Sequence, residues 1–342
     1  MKVFKYLFSV LLRSIKLGLL LLMVSTLLFL SFFYSQFSGP QKESQKERFV
    51  VKLNVSEEEM VADLKEKGFL KSKEIFGLIL TFKGWHKKIE PGAYKISKSM
   101  NAHGLAKTLI SGPYQKWVTI PPGKRKEQVA LILQKALGWP YSLARNFANV
   151  AEEGFLYPDT YLIDTDADPQ QIVQKLLSNF NEKFDAGLQD ELLKQNIRND
   201  TALKIASLIE RESGGSEDKP IIAAIIWNRL TKGMRLEIDA TVQYAIASET
   251  LGEVGLQDLG DFNFWPQLGA GVVRGVDSSY NTYLNEGLPP GPICSPSLAS
   301  IKAVAHPAET DALYYLHSPD KQIHTAKTFE EHQENIENFL KN

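Results

Sequence analysis

The sequence predicts an α+β protein led by one N-terminal transmembrane helix, with a small α/β module after the helix and a larger mixed α+β domain at the end. Three observations carry this reading. Residues 17–41 hold no charge, and LGLLLLMVSTLLFLSFFYSQF at 17–37 is long enough to cross a hydrocarbon layer of about 30 Å as a helix. Beyond it, short alternating runs (RFVVKLNV, PGAYKI, KWVTI) are interleaved with helical patterns. Further on, IASLIERES and IIAAIIW are apolar enough all round to be buried helices of a sizeable core. The length of 342 residues allows about two domains, at roughly 100–200 residues each.

The first element is the apolar run. Lys2, Lys5, Arg13 and Lys16 precede it with no acid among them, whereas Lys42, Glu43, Lys46, Glu47 and Arg48 mix both signs after it. The positive-inside rule puts residues 1–16 in the cytoplasm and everything after residue 40 outside. The run exceeds the roughly 7–15 apolar residues of a signal peptide and no A-x-A-like site follows, so 17–37 reads as an uncleaved anchor. Tyr34 and its neighbouring phenylalanines suit the interface, and 38–48 reads as a polar tether.

Residues 49–112 form the small module. RFVVKLNV alternates as a strand, and Ser56 with Glu59 makes a capping box for a helix that turns Met60, Val61 and Leu64 inward and ends at Gly68. KEIFGLILTFKGW supplies a second helix, PGAYKI a short strand, and NAHGLAKTLISG a third helix closed by Gly112. Residues 113–149, containing KWVTIPPGKRKEQVALILQKALGW, read as a bridging strand-then-helix unit whose VALIL echoes VADL in the first unit.

Residues 150–342 form the last domain. EGFLYPDTY sets Glu153, Tyr157, Asp159 and Tyr161 around Pro158 in a turn-rich setting that reads as a site loop. A long amphipathic helix starts at Asp168-Pro169. Asp200 or Thr201 caps the next helix, whose Ala202, Leu203, Ile205, Ala206, Leu208 and Ile209 make it apolar nearly all round, and Gly214-Gly215 ends it. Asp218 caps another, with IIAAIIW as its buried face and Asn228 and Arg229 at its polar end. GLPPGPI at 287–293 is a loop made rigid by its prolines.

Chemistry points first to the helix that ends in IERES. Glu210 and Glu212 stand where apolar packing stops, and burial beside hydrocarbon disfavours the ionised form, so a carboxyl group there can keep its proton and act as a general acid. Spacing does not choose between them. Glu210 stacks over Ala206 and Ser207, which leave room for a ligand, while Glu212 stacks over Leu208 and Ile209, which cover its stem; on that ground Glu210 is favoured. Flat aromatic faces suited to stacking on a ligand come from Tyr244, Tyr280 and Tyr283, then Tyr157 and Tyr161, with Gln243, Asn281 and Thr282 as polar partners and Asn228 and Arg229 as further candidate binding residues. Trp227 and Trp265 are left to the core. With 39 basic against 40 acidic residues, nothing suggests nucleic acid. Cys294 is alone and reads as a packing residue, and the six histidines lack metal-ligand spacing, so no metal and no cofactor are expected.

The blocks EGFLYPDTY, ASLIERES, NRLTKGMRLEIDATVQY, YNTYLNEGLPPGPICSPS and HTAKTFEEH, in this order over roughly 150–335, resemble the YceG-like family of endolytic murein transglycosylases. The resemblance implies that Glu210 is the catalytic acid and base, with Glu212 and Asp239 in support, and that 49–112 is a LysM-like subdomain. It implies cleavage of MurNAc-GlcNAc bonds inside nascent peptidoglycan strands at the outer, periplasmic face of the cytoplasmic membrane, leaving 1,6-anhydro-MurNAc ends and terminating strand elongation. Peptidoglycan strands are then the substrate, and cell-wall synthases are candidate protein partners. Two departures from the family pattern are small: Ala240 stands where a proline is common, and Cys294-Ser295 where an asparagine-like turn residue is frequent. Two other readings stay open: a hydrolase pairing the glutamate with Asp239 or Asp159, and a non-catalytic peptidoglycan-binding scaffold.

Overall fold

The computed structural model describes residues 1–255, 262–269 and 271–341, and the chain divides into two compact units at Trp117/Val118. In the first unit, α1 (Lys2–Phe37) is one continuous helix, and its Tyr6–Phe37 stretch is long and apolar enough to cross a membrane. The segment expected as a tether does not hang free. Gln41 donates its N–H to the Lys98 carbonyl at 3.0 Å, and Gly39 lies so close to Ser99 that a Cβ would stand 2.5 Å from that residue's carbonyl oxygen. Strand β1 (Lys46–Val51) starts inside the expected tether, because extended backbone beside an open strand gains the partners its polar groups need.

After β1 come α2 (Glu57–Glu66), α3 (Lys73–Lys83), β2 (Gly92–Ser97), α4 (Ala102–Ile110) and β3 (Gln115–Thr119). The Ser56–Glu59 capping box forms as its spacing predicts. β1 and β2 pair antiparallel from Lys46↔Ser97 to Val51↔Gly92, and the start of β3 joins the other edge of β2 at Gly92↔Lys116. Gly92 is required there, since its φ is 153° and a Cβ would meet the Gln115 carbonyl oxygen at 2.4 Å. Phe49, Leu64, Phe76, Leu80, Ile96 and Leu105 fill the core between sheet and helices.

The second unit holds α5 (Lys126–Leu137), α6 (Tyr141–Val150), β4 (Thr160–Asp164), α7 (Pro169–Lys183), α8 (Ala186–Lys194), α9 (Asn199–Glu212), α10 (Lys219–Thr231), α11 (Asp239–Val254), α12 (Leu298–Ala305), the antiparallel hairpin β5 (Tyr314–His317) and β6 (Ile323–Ala326), and α13 (Phe329–Leu340). Residues 118–149, expected as a bridge, pack here: α5 and α6 share a core with β4 and α7. The turn-rich site loop is shorter than expected, because Tyr161 and Ile163 turn inward on β4.

α9 is the axis of the other core. Its apolar residues are buried on every side, against α8, α10, α11 and α12. The N-cap is Arg198, two residues before Asp200 and three before Thr201, the expected caps. Asp200 takes a first-turn position instead, ion-paired to Arg198 at 3.0 Å and favoured there by the helix dipole. Asp218 stands at the N-cap of α10, but its carboxylate accepts from the Gly214 N–H and meets His317 Nε2, each at 3.0 Å, instead of capping the helix.

Candidate active site

At the C-terminal end of α9, Glu212 forms part of the wall of a cavity of about 400 Å³. The remaining wall comes from Ile225, Ile226 and Arg229 of α10, the turn Leu236–Asp239, Tyr283, strand β5, and Phe329 and His332 of α13. Arg229 holds this wall in place. Its Nε donates to the Leu313 carbonyl at 2.6 Å, its Nη1 to the Leu236 carbonyl at 2.8 Å, and Nη1 also lies 3.6 Å from Glu237. One guanidinium thereby ties the end of α10 to two segments that bound the cavity, with the fixed fork geometry that suits arginine to the task.

Glu212, Glu237 and Asp239 bring three carboxyl groups to the cavity, and two of them accept from tyrosine hydroxyls. Glu212 Oε2 accepts the Tyr315 hydroxyl hydrogen at 2.7 Å. Asp239 opens α11, where the positive end of the helix favours a carboxylate, and its Oδ1 accepts from the Tyr283 hydroxyl at 2.7 Å. Burial pushes the Glu212 carboxyl above its ordinary value; the Asp239 charge adds to the rise, and the Tyr315 hydroxyl, the Ala240 N–H and Arg211 only partly offset it. A carboxyl group whose proton affinity is raised by burial beside a second carboxylate is an arrangement suited to general acid chemistry.

Glu210, two residues earlier, faces another way. Its Oε2 accepts from Lys219 Nζ at 2.9 Å, from the Ser297 N–H at 2.9 Å, and from the hydroxyls of Ser297 and Ser300 at 2.6 and 2.5 Å. Desolvation is the largest single influence and pushes its pKa up, but these bonds together outweigh it and hold the carboxyl below its ordinary value. Glu210 is dry as expected, but the expectation that burial would raise its pKa is corrected. The space over Ala206 and Ser207, read as room for a ligand, is filled by the chain itself: the Ile293 N–H donates to Ser207 Oγ at 3.1 Å, and Cys294 Sγ sits 3.4 Å from the Ser207 carbonyl oxygen. Cys294 is fully buried, as a packing residue should be.

Of the other residues singled out from sequence, Arg229, Asp239 and Tyr283 line the cavity with Glu212. Tyr157, Tyr161, Asn228, Gln243, Tyr244, Tyr280, Asn281 and Thr282 do not, and their bonds show why. The Tyr161 hydroxyl donates to the Tyr157 carbonyl, and Asn228 Nδ2 to the carbonyls of Thr310 and Ala312. Gln243 donates to the Pro266 carbonyl, while Asn281, wholly buried, donates to those of Val273 and Val276. Thr282 Oγ1 accepts from the Ile238 N–H at 2.9 Å, which fixes the turn before Asp239 against the loop that carries Tyr283. The Tyr244 and Tyr280 rings pack 4.7 Å apart, with the buried Arg125 guanidinium 4.1 Å from the Tyr244 ring centre. In the same region Glu153 accepts from the Lys126 N–H, and burial, followed by the Glu127 charge, pushes its pKa up to about 8.

Sequence reasoning missed Tyr314, Tyr315, His317, Glu237 and His332. The alternation in YYLH was the available signal, but only hairpin pairing with Ile323–Ala326 brings that strand to Glu212.

Residues 49–338 match the YceG-like family. The endolytic murein transglycosylase of Bacillus subtilis (strain 168) is 28% identical over 306 residues, covering 81% of this chain and 80% of the relative. That of Streptococcus pneumoniae serotype 2 (strain D39) is 25% identical over 319 residues, 82% of this chain but only 56% of the relative's length. A 2.6 Å crystal structure of a YceG-like protein from Listeria monocytogenes aligns over 85% of this chain and 98% of its own, with a TM-score of 0.54 and 26% identity.

Proposed function

The chain belongs to the YceG-like family, and from that premise we propose that it is a membrane-anchored endolytic murein transglycosylase whose acid and base is Glu212. The observation that carries the choice of residue is the Glu212 carboxyl, raised by burial in an open cavity, while Glu210 is consumed by an internal ion pair. The relatives named endolytic murein transglycosylase support the substrate class.

In the proposed reaction a MurNAc-GlcNAc bond lies across the cavity. Tyr315 occupies Oε2 of Glu212, so the proton leaves from Oε1 to the glycosidic oxygen as the bond from that oxygen to the anomeric carbon breaks. Asp239, held by Tyr283, faces the positive charge that develops on the sugar. The Glu212 carboxylate then takes the proton of the MurNAc 6-hydroxyl while that oxygen bonds to the anomeric carbon, closing the 1,6-anhydro ring without water. Asp239 sharing the cavity also favours a second reading, in which it activates water and the enzyme is a two-carboxylate hydrolase.

Mass spectrometry of digested glycan strands separates the two. Transglycosylation gives 1,6-anhydro-MurNAc ends, one water lighter than the reducing MurNAc ends of hydrolysis. Endolytic cutting shortens long strands abruptly, whereas steady release of disaccharides would reject it. Such cuts in nascent strands would end elongation near cell-wall synthases, with 49–112 serving as a LysM-like glycan contact or spacer. The anchor reading places the N-terminus in the cytoplasm. Protease outside intact spheroplasts should then digest the mass after residue 40, and complete protection would overturn that orientation.

A further inference from the structure

Helix α3 is apolar on two faces. Phe76 and Leu80 are fully buried in the first unit's core, while one turn apart on the outer face Leu78 is 48% exposed and Phe82 85%, the highest value for a large apolar side chain beyond α1 and the Met1 that precedes it among the described residues. A helix of this kind needs a second apolar environment beyond its own core.

The end of α1 indicates what that environment is. Lys71, just before α3, donates from Nζ to the Ser35 carbonyl at 3.1 Å and to Ser38 Oγ at 2.9 Å, and Phe37 packs against the core that holds Phe76 and Leu80. The uncharged stretch of α1 from Leu17 to Phe37 spans about 31 Å at roughly 1.5 Å per residue, close to the ~30 Å of a hydrocarbon layer. With that stretch in a bilayer, Ser35 and Ser38 stand at its outer boundary, and Lys71 holds the start of α3 at the same level. Between Lys71 and Lys88 the chain carries Lys71, Lys73, Lys83, Lys87 and Lys88 against the single acid Glu74, a balance suited to anionic lipid headgroups.

We propose that α3 is an interfacial helix that lays Leu78 and Phe82 into the outer leaflet of the bilayer crossed by α1, so that the first unit rests on the lipid surface instead of being held off it. The proposal rests on the reading of α1 as a membrane span. It fits amphipathic helices that lie in the plane of an interface, with apolar residues below and lysines at headgroup level.

The test uses the full chain in vesicles of phosphatidylethanolamine and phosphatidylglycerol. Single variants Leu78→Cys, Phe82→Cys, Leu27→Cys on α1 and Glu66→Cys on the exposed side of α2 are spin-labelled; Cys294 is wholly buried and stays unlabelled. Relaxation by oxygen, which concentrates in lipid, is compared with relaxation by a water-soluble nickel chelate. The oxygen-to-nickel ratio at 78 and 82 should rise above that at 66 and approach that at 27. Nickel access at 78 and 82 equal to that at 66 would overturn the proposal while leaving the anchor intact. Shielding from both reagents would mean that a second copy or another protein covers α3, and would overturn it too. Nickel access at 27 would instead show that the anchor reading itself has failed.

Discussion

Glu210 and Glu212 are the same residue type, two positions apart on one helix end, and their surroundings drive them in opposite directions. Both lose water. Glu210 recovers more than it loses, through a lysine, two serine hydroxyls and a backbone N–H on a single oxygen, and is held ionised. Glu212 recovers less, because a tyrosine hydroxyl and one N–H face both burial and the neighbouring Asp239 charge, and its pKa is pushed above the ordinary value. Desolvation alone does not make a general acid; desolvation with too few compensating donors does. The first arrangement fastens Ser297 and Ser300 to α9, and the second leaves a carboxyl group of raised proton affinity at an open cavity.

The largest effect that could break this contrast is on turnover. Glu212→Gln should lower activity by about 10² to 10⁴, the scale of removing a general acid, with the fold intact. The same variant should be more stable than the parent at neutral pH. A carboxyl raised in the folded state binds a proton that the unfolded chain gives up, so the parent loses stability as pH rises from the unfolded value toward the folded one, and glutamine removes that loss. Near-parent turnover in Glu212→Gln would return the catalytic role to Glu210.

Glu210→Gln should act on stability. Lys219 is 7% exposed, and removing its partner charge should cost about 3 kcal/mol, the scale of breaking a buried pair, seen as a lower midpoint in urea. Turnover per folded molecule should hold within a few-fold. Since Glu210 is depressed in the folded state, its contribution is present above the unfolded carboxylate range and is lost as pH falls through the folded value; the variant should therefore show a shallower acid-side loss than the parent. A variant as stable as the parent but inactive would break the contrast.

The contrast also marks where the sequence was legible. Local patterns were sufficient for α1, the Ser56–Glu59 capping box, the all-round burial of α9 and the acid pair at its end, because each is set by neighbours within a turn or two. The choice between the two acids was not local. It depends on Ser297 and Ser300, which lie 87 and 90 residues beyond Glu210, and on Tyr315, 103 beyond Glu212. Small residues under Glu210 looked like room for a ligand, but the chain after GLPPGP filled it. Asn281 and Thr282 looked like sugar contacts for a related reason: their polar groups satisfy buried backbone that only the tertiary fold brings near.

The smallest effect probes the contrast from within the Glu212 side. The Tyr315 hydroxyl is the main group that pulls the Glu212 carboxyl back down and the one that commits Oε2, leaving Oε1 for the proton. Tyr315→Phe removes that bond and keeps the ring. The Glu212 pKa should then rise further, moving the limb of kcat/KM where the acid loses its proton to higher pH, while kcat drops about tenfold because the carboxyl is no longer held in one orientation. A role in packing alone would lower activity equally at every pH and leave the limb where it was. A limb that moves to lower pH would mean that the hydroxyl stabilises the neutral acid, and would reverse the account of why Glu212 and Glu210 differ.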